Sequence, residues 1–301
     1  MRLAVVIPTF RQAHRAIAAA QACKRLSLPN GLPPLVIVVD DGSGPSDLAA
    51  LREAASGTFE LVSLQNNAGR SVARNRGAWH ADADIVVFLD SDCLPANDLF
   101  LISHAQALEQ GAIASAGAVE GHGSGFWHRY QCEASERRAR AHARGATHSG
   151  SSQNLAVRRA DFIAIGGFDE DYRHYGFEDR DLLARLSLRG DVVWTGASVV
   201  RHMDDLTLPQ VVAKMADAGC YNAAMFASRH PQAYRELGYA ALDSRLHPWL
   251  RPLAAVAGPM STATARILDR PISGNRLPYW LAKQTVRCIV AAAYLSGTSR
   301  A

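Results

Sequence analysis

The sequence predicts an α/β protein: a mainly parallel, Rossmann-like sheet flanked by helices, followed by a helical C-terminal extension. Three observations carry this. Short continuous apolar runs (LAVVIP, PLVIVV, DIVVF) read as strands buried on both faces. Helical stretches separate them in βαβα order, which favours parallel pairing with helices over the sheet. After Leu206 strand-like runs cease and the pattern becomes helical.

Taken in order, Leu3–Pro8 is the first strand and His14–Arg25 the helix after it. PLVIVVDDGS gives the second strand, Asp47–Ala55 a helix, and FELVSL the third strand. A helix over Ser71–Ala81 leads to the fourth strand, DIVVFLDSD, and a helix over Asn97–Gln110 follows. From Gly117 to Ser152 the chain is rich in Gly, Ser, His and Arg, and one helix, Trp127–Ala143, is expected between loops. Beyond Leu206, prolines at 209, 231, 248, 252, 259, 271 and 278 are expected to cut the helical pattern into several pieces. The division expected is a sheet domain over 1–205 and a helical, basic extension over 206–301.

The chain of 301 residues, 48% hydrophobic, is long enough to bury a full core. No apolar run approaches a membrane span, and MRLAVVIPTF reads as a strand rather than a signal peptide. Five dispersed cysteines without a CxxC pair point to a reduced, cytoplasmic protein. The net charge of +4 is uneven: from Leu206 onward there are eleven basic and four acidic side chains, leaving 21 basic and 24 acidic upstream. Such a tail suits peripheral contact with an anionic inner membrane face or a phosphorylated acceptor, and equally a solvated helical surface. No basic-aromatic stripe suggests nucleic acid.

Chemistry concentrates where strands end. Ligands of parallel sheets bind beyond the C-terminal strand ends. There the sequence places Pro8-Thr9-Phe10, Asp40-Asp41-Gly42-Ser43 and Asp90-Ser91-Asp92. Alone, Asp40-Asp41-Gly42 would be a turn with an Asx cap. Together, so many carboxylates on one edge call for a cation and point to a metal and nucleotide site. GHGSGF at 121–126 has the wrong spacing for a dinucleotide fingerprint, and no GxxxxGK[ST] loop occurs. Further on, YGFEDRDLLARL crowds Glu178, Asp179 and Asp181 into one helix start, where capping alone favours acidic residues.

VIPTF, VVDDGS, NAGRSVARNRGA, FLDSD and NLAVRRADFIAIGGFDE…GFEDRDL, in this order, resemble family 2 glycosyltransferases of the GT-A fold, with a galactosyltransferase-type segment late in the motif series. The resemblance spans roughly residues 2–205. It implies inverting transfer of a sugar from a nucleotide diphosphate donor, expected to be a UDP-sugar, to an acceptor hydroxyl on a glycan or glycolipid. It places Pro8, Thr9 and Phe10 around the base, with Asp40 accepting from a base N–H. Arg70, rather than Arg74, is the expected cationic contact to the nucleotide, and Asn75 is expected to tie its helix to the sheet. Asp92 is the expected metal ligand, Asp90 binds the ribose or assists the metal, and His202 adds an imidazole. That set suits Mn²⁺ or Mg²⁺. In the Glu-Asp motif, Asp179 matches the base and Glu178 contacts the acceptor, while Asp181 is assigned to capping or an ion pair. Two rival readings remain at this stage. A nucleotide-sugar pyrophosphorylase would need a glycine-rich loop after the first strand, which PTFRQAHR lacks. An inactive scaffold of the same fold would not need to keep the carboxylate motifs.

Overall fold

The computed structural model describes residues 1–28 and 31–300. The chain divides into two compact units, one of residues 1–122, 131–171 and 178–204, the other of 123–130, 172–177 and 205–301. The second unit therefore takes two short upstream segments as well as the tail.

The elements run β1 (Leu3–Thr9), α1 (Ala13–Lys24), β2 (Leu35–Asp40), α2 (Pro45–Ala55), β3 (Glu60–Ser63), α3 (Arg70–His80), β4 (Ile85–Phe88) and β5 (Cys93–Pro95). They continue with α4 (Leu99–Glu109), β6 (Ala114–Gly121), α5 (Phe126–His142), β7 (Leu155–Arg158), α6 (Arg159–Ala164), α7 (Glu178–Ser187) and β8 (Val192–His202). All eight strands join one sheet in the order β3-β2-β1-β4-β7-β6-β8-β5. β1, β2, β3 and β4 pair in parallel, as do β6 and β8. β7 is antiparallel to both β4 and β6, so β6 and β8 run the same way as β1. The expected α/β class holds, with a mixed sheet.

Why LAVVIPT makes a central strand is visible in its burial: every residue of β1 is buried. Leu3, Val5 and Ile7 pack on one face with Ala16 and Ala20 of α1, Leu51 of α2 and Phe100 of α4. Ala4 and Val6 pack on the other with Ala73 of α3, Phe162 of α6 and Leu182, Leu183 and Leu186 of α7. A strand with helices on both sides has no polar face to show, hence the unbroken apolar run. β6 escaped the sequence reading because ASAGAVEG has only one of the branched side chains that mark strands, Val119. Its small residues have a reason: a Cβ at Gly117 would collide with the Asn154 amide.

The second unit holds α8 (Leu208–Cys220), α9 (Asn222–Arg229), α10 (Pro231–Glu236), α11 (Arg251–Ser273) and α12 (Tyr279–Thr298). Thr207 and Gln210 form a reciprocal capping box that starts α8. Pro209, Pro231 and Pro252 fall in first turns, where the missing N–H costs nothing. Pro259 and Pro271 do not behave as expected: α11 runs through both. Pro259 and Ala255 both lie on the exposed side, so water can reach the carbonyl that Pro259 leaves without a donor. The helix's opposite side is held by α8 and α12. α11 and α12 form an antiparallel hairpin, with Ala254 beside Leu295 and Gly258 against Ser296. Among the described residues, no helix is long and apolar enough to cross a membrane.

Candidate active site

Strand register gathers the first set of residues. Thr9 pairs with Asp40 across β1–β2, and Val6 pairs with Phe88 across β1–β4. The segments leaving these strands therefore emerge at one edge and surround a cavity of about 200 Å³. Pro8, Thr9, Phe10, Asp41, Arg70, Asp90 and Asp92 line it. The Thr9 hydroxyl is buried without a hydrogen-bond partner among the described residues, so it is available to a ligand. Phe10 offers a partly exposed ring, with the Arg11 guanidinium 4.9 Å from its centre.

Of the paired aspartates, Asp41 lines the cavity and Asp40 does not. Asp40 Oδ1 accepts from the Ser43 N–H at 3.1 Å, and Oδ2 is buried without a hydrogen-bond partner among the described residues. Successive side chains of an extended strand point to opposite sides, so a one-residue change selects the other carboxylate. Asp41 accepts the N–H groups of Ala68 and Gly69 at 2.8 and 2.9 Å, which fastens the loop that enters α3. Burial pushes its pKa up, these two donors pull it back, and Asp40 adds to the rise. Gly42 makes the turn possible, with φ of 72° and no room for a Cβ beside the Asn66 backbone.

The two arginines of α3 divide their duties. Arg70 lines the cavity and is 46% exposed, while Arg74, one turn later, is 1% exposed. Arg74 donates to Asp90 Oδ1 at 2.6 Å, lies 3.8 Å from Glu178 Oε1 and stands over the Phe168 ring at 5.4 Å. Burial works against its charge, but Asp90, Asp179 and Glu178 outweigh it and keep the guanidinium protonated. This ion cluster, linking the Asp90-Ser91-Asp92 segment to the start of α7, is what sequence reasoning missed. The four-residue spacing of Arg70 and Arg74 signalled a shared helix face but not which of the two is buried.

Asn75 fixes the loop beneath. It donates to the Phe168 carbonyl at 2.8 Å and to Glu170 at 3.0 Å, and accepts the Phe168 N–H at 2.8 Å. The tie is to the turn before α7, where Gly166 and Gly167 take φ of 79° and 73°.

At the head of α7 the three carboxylates part company. Asp181 is buried and bound by Arg185 at 2.7 and 2.8 Å, an i,i+4 ion pair that accounts for it. Glu178 faces Arg70 at 3.7 Å as well as Arg74. Burial and Asp179 push its carboxyl up in pKa, against the pull of the two arginines. Asp179 Oδ1 is shielded from solvent and has no hydrogen-bond partner among the described residues. Phe177, immediately before, holds φ of 73°, a costly conformation for a bulky residue.

A third group forms where β5 meets β8. Cys93 pairs with His202, and the Met203 N–H bonds the Asp92 carbonyl at 2.7 Å. Asp92, His202 and Asp204 thereby bring one ligand atom each within 4.8 Å of one another. His202 Nε2 lies 3.3 Å from Asp92 Oδ2, and its Nδ1 lies 3.1 Å from the Gln131 amide. Two carboxylates and an imidazole with an outer hydrogen bond fit a divalent cation. Asp204, paired also with Arg15, was not anticipated, although its place two residues beyond His202 is a usable signal. Asp90 stands apart from this trio, facing Arg74.

The family model described as glycosyl transferase family 2 matches residues 4–166, ending before Glu178. Glycosyltransferase AglE of Haloferax volcanii is 29% identical over 117 residues, covering 38% of this chain and 36% of that protein. The uncharacterized glycosyltransferase YfnE of Bacillus subtilis is 31% identical over 111 residues, 36% of this chain and 27% of its own length. The matched region thus spans about a third of these relatives. Among solved structures, mannosyltransferase PcManGT from Pyrobaculum calidifontis, in complex with GDP-Man and Mn²⁺, matches with a TM-score of 0.63 at 20% identity. That match covers 98% of this chain and 86% of PcManGT. S. aureus TarS 1–349, in complex with UDP-GlcNAc, matches with a TM-score of 0.51 at 17% identity, over 73% of this chain and 66% of that one. At such identities the structural likeness is one of fold. The family model reaches across more than half of the sequence, from β1 through α6, and on that match the chain belongs to glycosyl transferase family 2.

Proposed function

We propose that the chain transfers a sugar from a nucleotide diphosphate donor, a UDP-sugar in the first instance, to a hydroxyl of an envelope glycan or glycolipid, with inversion at the anomeric carbon. The observation that carries the mechanism is Asp179: a shielded carboxylate oxygen with no hydrogen-bond partner among the described residues, beside an arginine–carboxylate cluster. Inverting displacement needs one base to take the acceptor proton as its oxygen attacks, and such a base contributes roughly 10²–10⁴-fold. Asp179 is assigned that role. Glu178 Oε2, also buried without a hydrogen-bond partner among the described residues, is suited to accept from an acceptor hydroxyl.

On the donor side, Pro8, Thr9 and Phe10 hold the base, and Asp41 takes the base-facing position first given to Asp40. Arg70, reaching the cavity, meets the diphosphate. Asp90, paired with Arg74 at the cavity, is assigned to the ribose. Asp92, His202 and Asp204 would hold Mn²⁺ or Mg²⁺, and a bound ion supplies charge neutralisation to the departing diphosphate. With an ion at Nε2, the proton of His202 would sit on Nδ1, and a half-turn of the Gln131 amide presents an acceptor to it.

Thermal shift with UDP-, GDP- and dTDP-sugars, with and without Mn²⁺, tests the donor half of this reading. One nucleotide class should raise the melting temperature, and only with the ion present. A panel without any stabilising donor would overturn the assignment.

A further inference from the structure

α11 is amphipathic in an unusual sense, because the side turned away from its neighbours is also apolar. Ala254, Ala257, Gly258, Ser261, Ala265 and Ile272 are buried on the side packed against α8 and α12. Leu253, Val256, Met260 and Ile267 are 53–71% exposed. At 100° per residue these four fall within an arc of about 60°, a single stripe about 21 Å long. Trp249, just before the helix, is 74% exposed, and Trp280, at the start of α12, is 68% exposed.

The charge around this stripe has one sign. From Ser244 to the end there are eight basic residues and one acidic residue, Asp269. Asp269 is engaged by the Leu208 N–H at 2.7 Å, at the start of α8. Arg251, Arg266 and Arg270 are exposed on α11, Arg276 in the turn after it and Arg287 on α12. Scattered exposed apolar residues are ordinary in any protein, but a continuous stripe with Arg266 and Arg270 along one edge is not.

We propose that α11 is a docking surface for an anionic phospholipid bilayer, on which the helix lies flat. Leu253, Val256, Met260 and Ile267 enter the boundary between headgroups and acyl chains, while the arginines meet lipid phosphates. An interfacial helix is recognised by an apolar face, a basic flank and aromatic ends, and all three are present here. No described helix can span a bilayer, so contact lies in the plane of the surface. Charge complementarity selects this occupant over a second copy of the chain, whose arginines would be brought against these at an electrostatic cost.

The test uses the full chain with phosphatidylglycerol–phosphatidylcholine vesicles and with pure phosphatidylcholine vesicles, read by co-sedimentation and light scattering. Wild type should partition onto the anionic vesicles and release as salt rises. Met260→Ser/Ile267→Ser, at two exposed positions, should lower partitioning roughly tenfold or more with an unchanged melting temperature. Arg266→Gln/Arg270→Gln should weaken binding to anionic vesicles alone. Absence of wild-type binding, binding indifferent to the stripe, or a stripe-dependent dimer that ignores vesicles would each overturn the proposal. Vesicle binding is read without donor or acceptor, so its failure leaves the sugar-transfer reading untouched.

Discussion

Arg74 is a charge taken almost wholly out of water, and it is tolerable because Asp90 and Glu178 surround it. Removing one partner of such a cluster leaves the others buried and uncompensated, typically costing 3–5 kcal/mol. Arg74→Met is therefore expected to lower stability by about that amount in urea titration; a loss below about 1 kcal/mol would show that the cluster does not depend on its cation. His104 presents the opposite case, a buried residue kept neutral. Its Nε2 meets Asn154 Oδ1 at 2.7 Å and its Nδ1 meets the Ser115 hydroxyl at 2.9 Å. Burial lowers its pKa from 6.5 to about 4, against the opposing effect of the hydrogen bond it donates to Asn154. The folded pKa lies below the unfolded one, so stability is full above pH 6.5 and falls as the unfolded state takes a proton that the folded state refuses. The loss amounts to roughly 3 kcal/mol by pH 4. Stability measured across that range should fall by roughly 3 kcal/mol less in His104→Gln than in wild type. Partly buried His142, its pKa also lowered to about 4, contributes equally to both.

At the scale of elements, α3 approaches β1 and β2 closely enough that Gly77 has no space for a side chain. A Cβ there would collide with Val6 Cγ1 and stand 2.9 Å from Val39 Cγ2. Gly77→Ala is expected to destabilise by about 1–3 kcal/mol through overpacking and to displace Arg70 and Arg74 with their helix, read as a joint fall in melting temperature and nucleotide affinity. The βαβα half of the fold was legible because its strands are buried on both faces and so announce themselves as apolar runs. β5, β6 and β8 were not: β5 has three residues, and β6 is built of small ones. β8 follows the quoted helix with Val192-Val193-Trp194 and ends in Arg201-His202, half exposed and without clean alternation. Their pairing nevertheless decides the candidate metal group, since β5 and β8 bring Asp92 beside His202 and Asp204. Local pattern can mark a carboxylate at a strand end, but only long-range register shows which imidazole it meets.

At the scale of the whole molecule, the two halves of the sequence carry different physics. The first 205 residues are slightly acidic and contain every residue assigned to donor, metal and base, while the remainder is basic and helical. The strand-end motifs were legible as a group, but not which member of each faces the cavity: Asp41 rather than Asp40 lines it, and Asp90 is paired with the buried Arg74. Burial and side-chain direction depend on which neighbour closes over each group. The central claim is that Asp179 removes the proton from the attacking hydroxyl. It is tested by Asp179→Asn, assayed for nucleotide release from the donor found in the panel, with water as acceptor, and for nucleotide affinity by calorimetry with Mn²⁺. The account predicts release slowed by roughly 10²–10⁴-fold at unchanged affinity. Near-normal release by this variant would remove Asp179 from the mechanism.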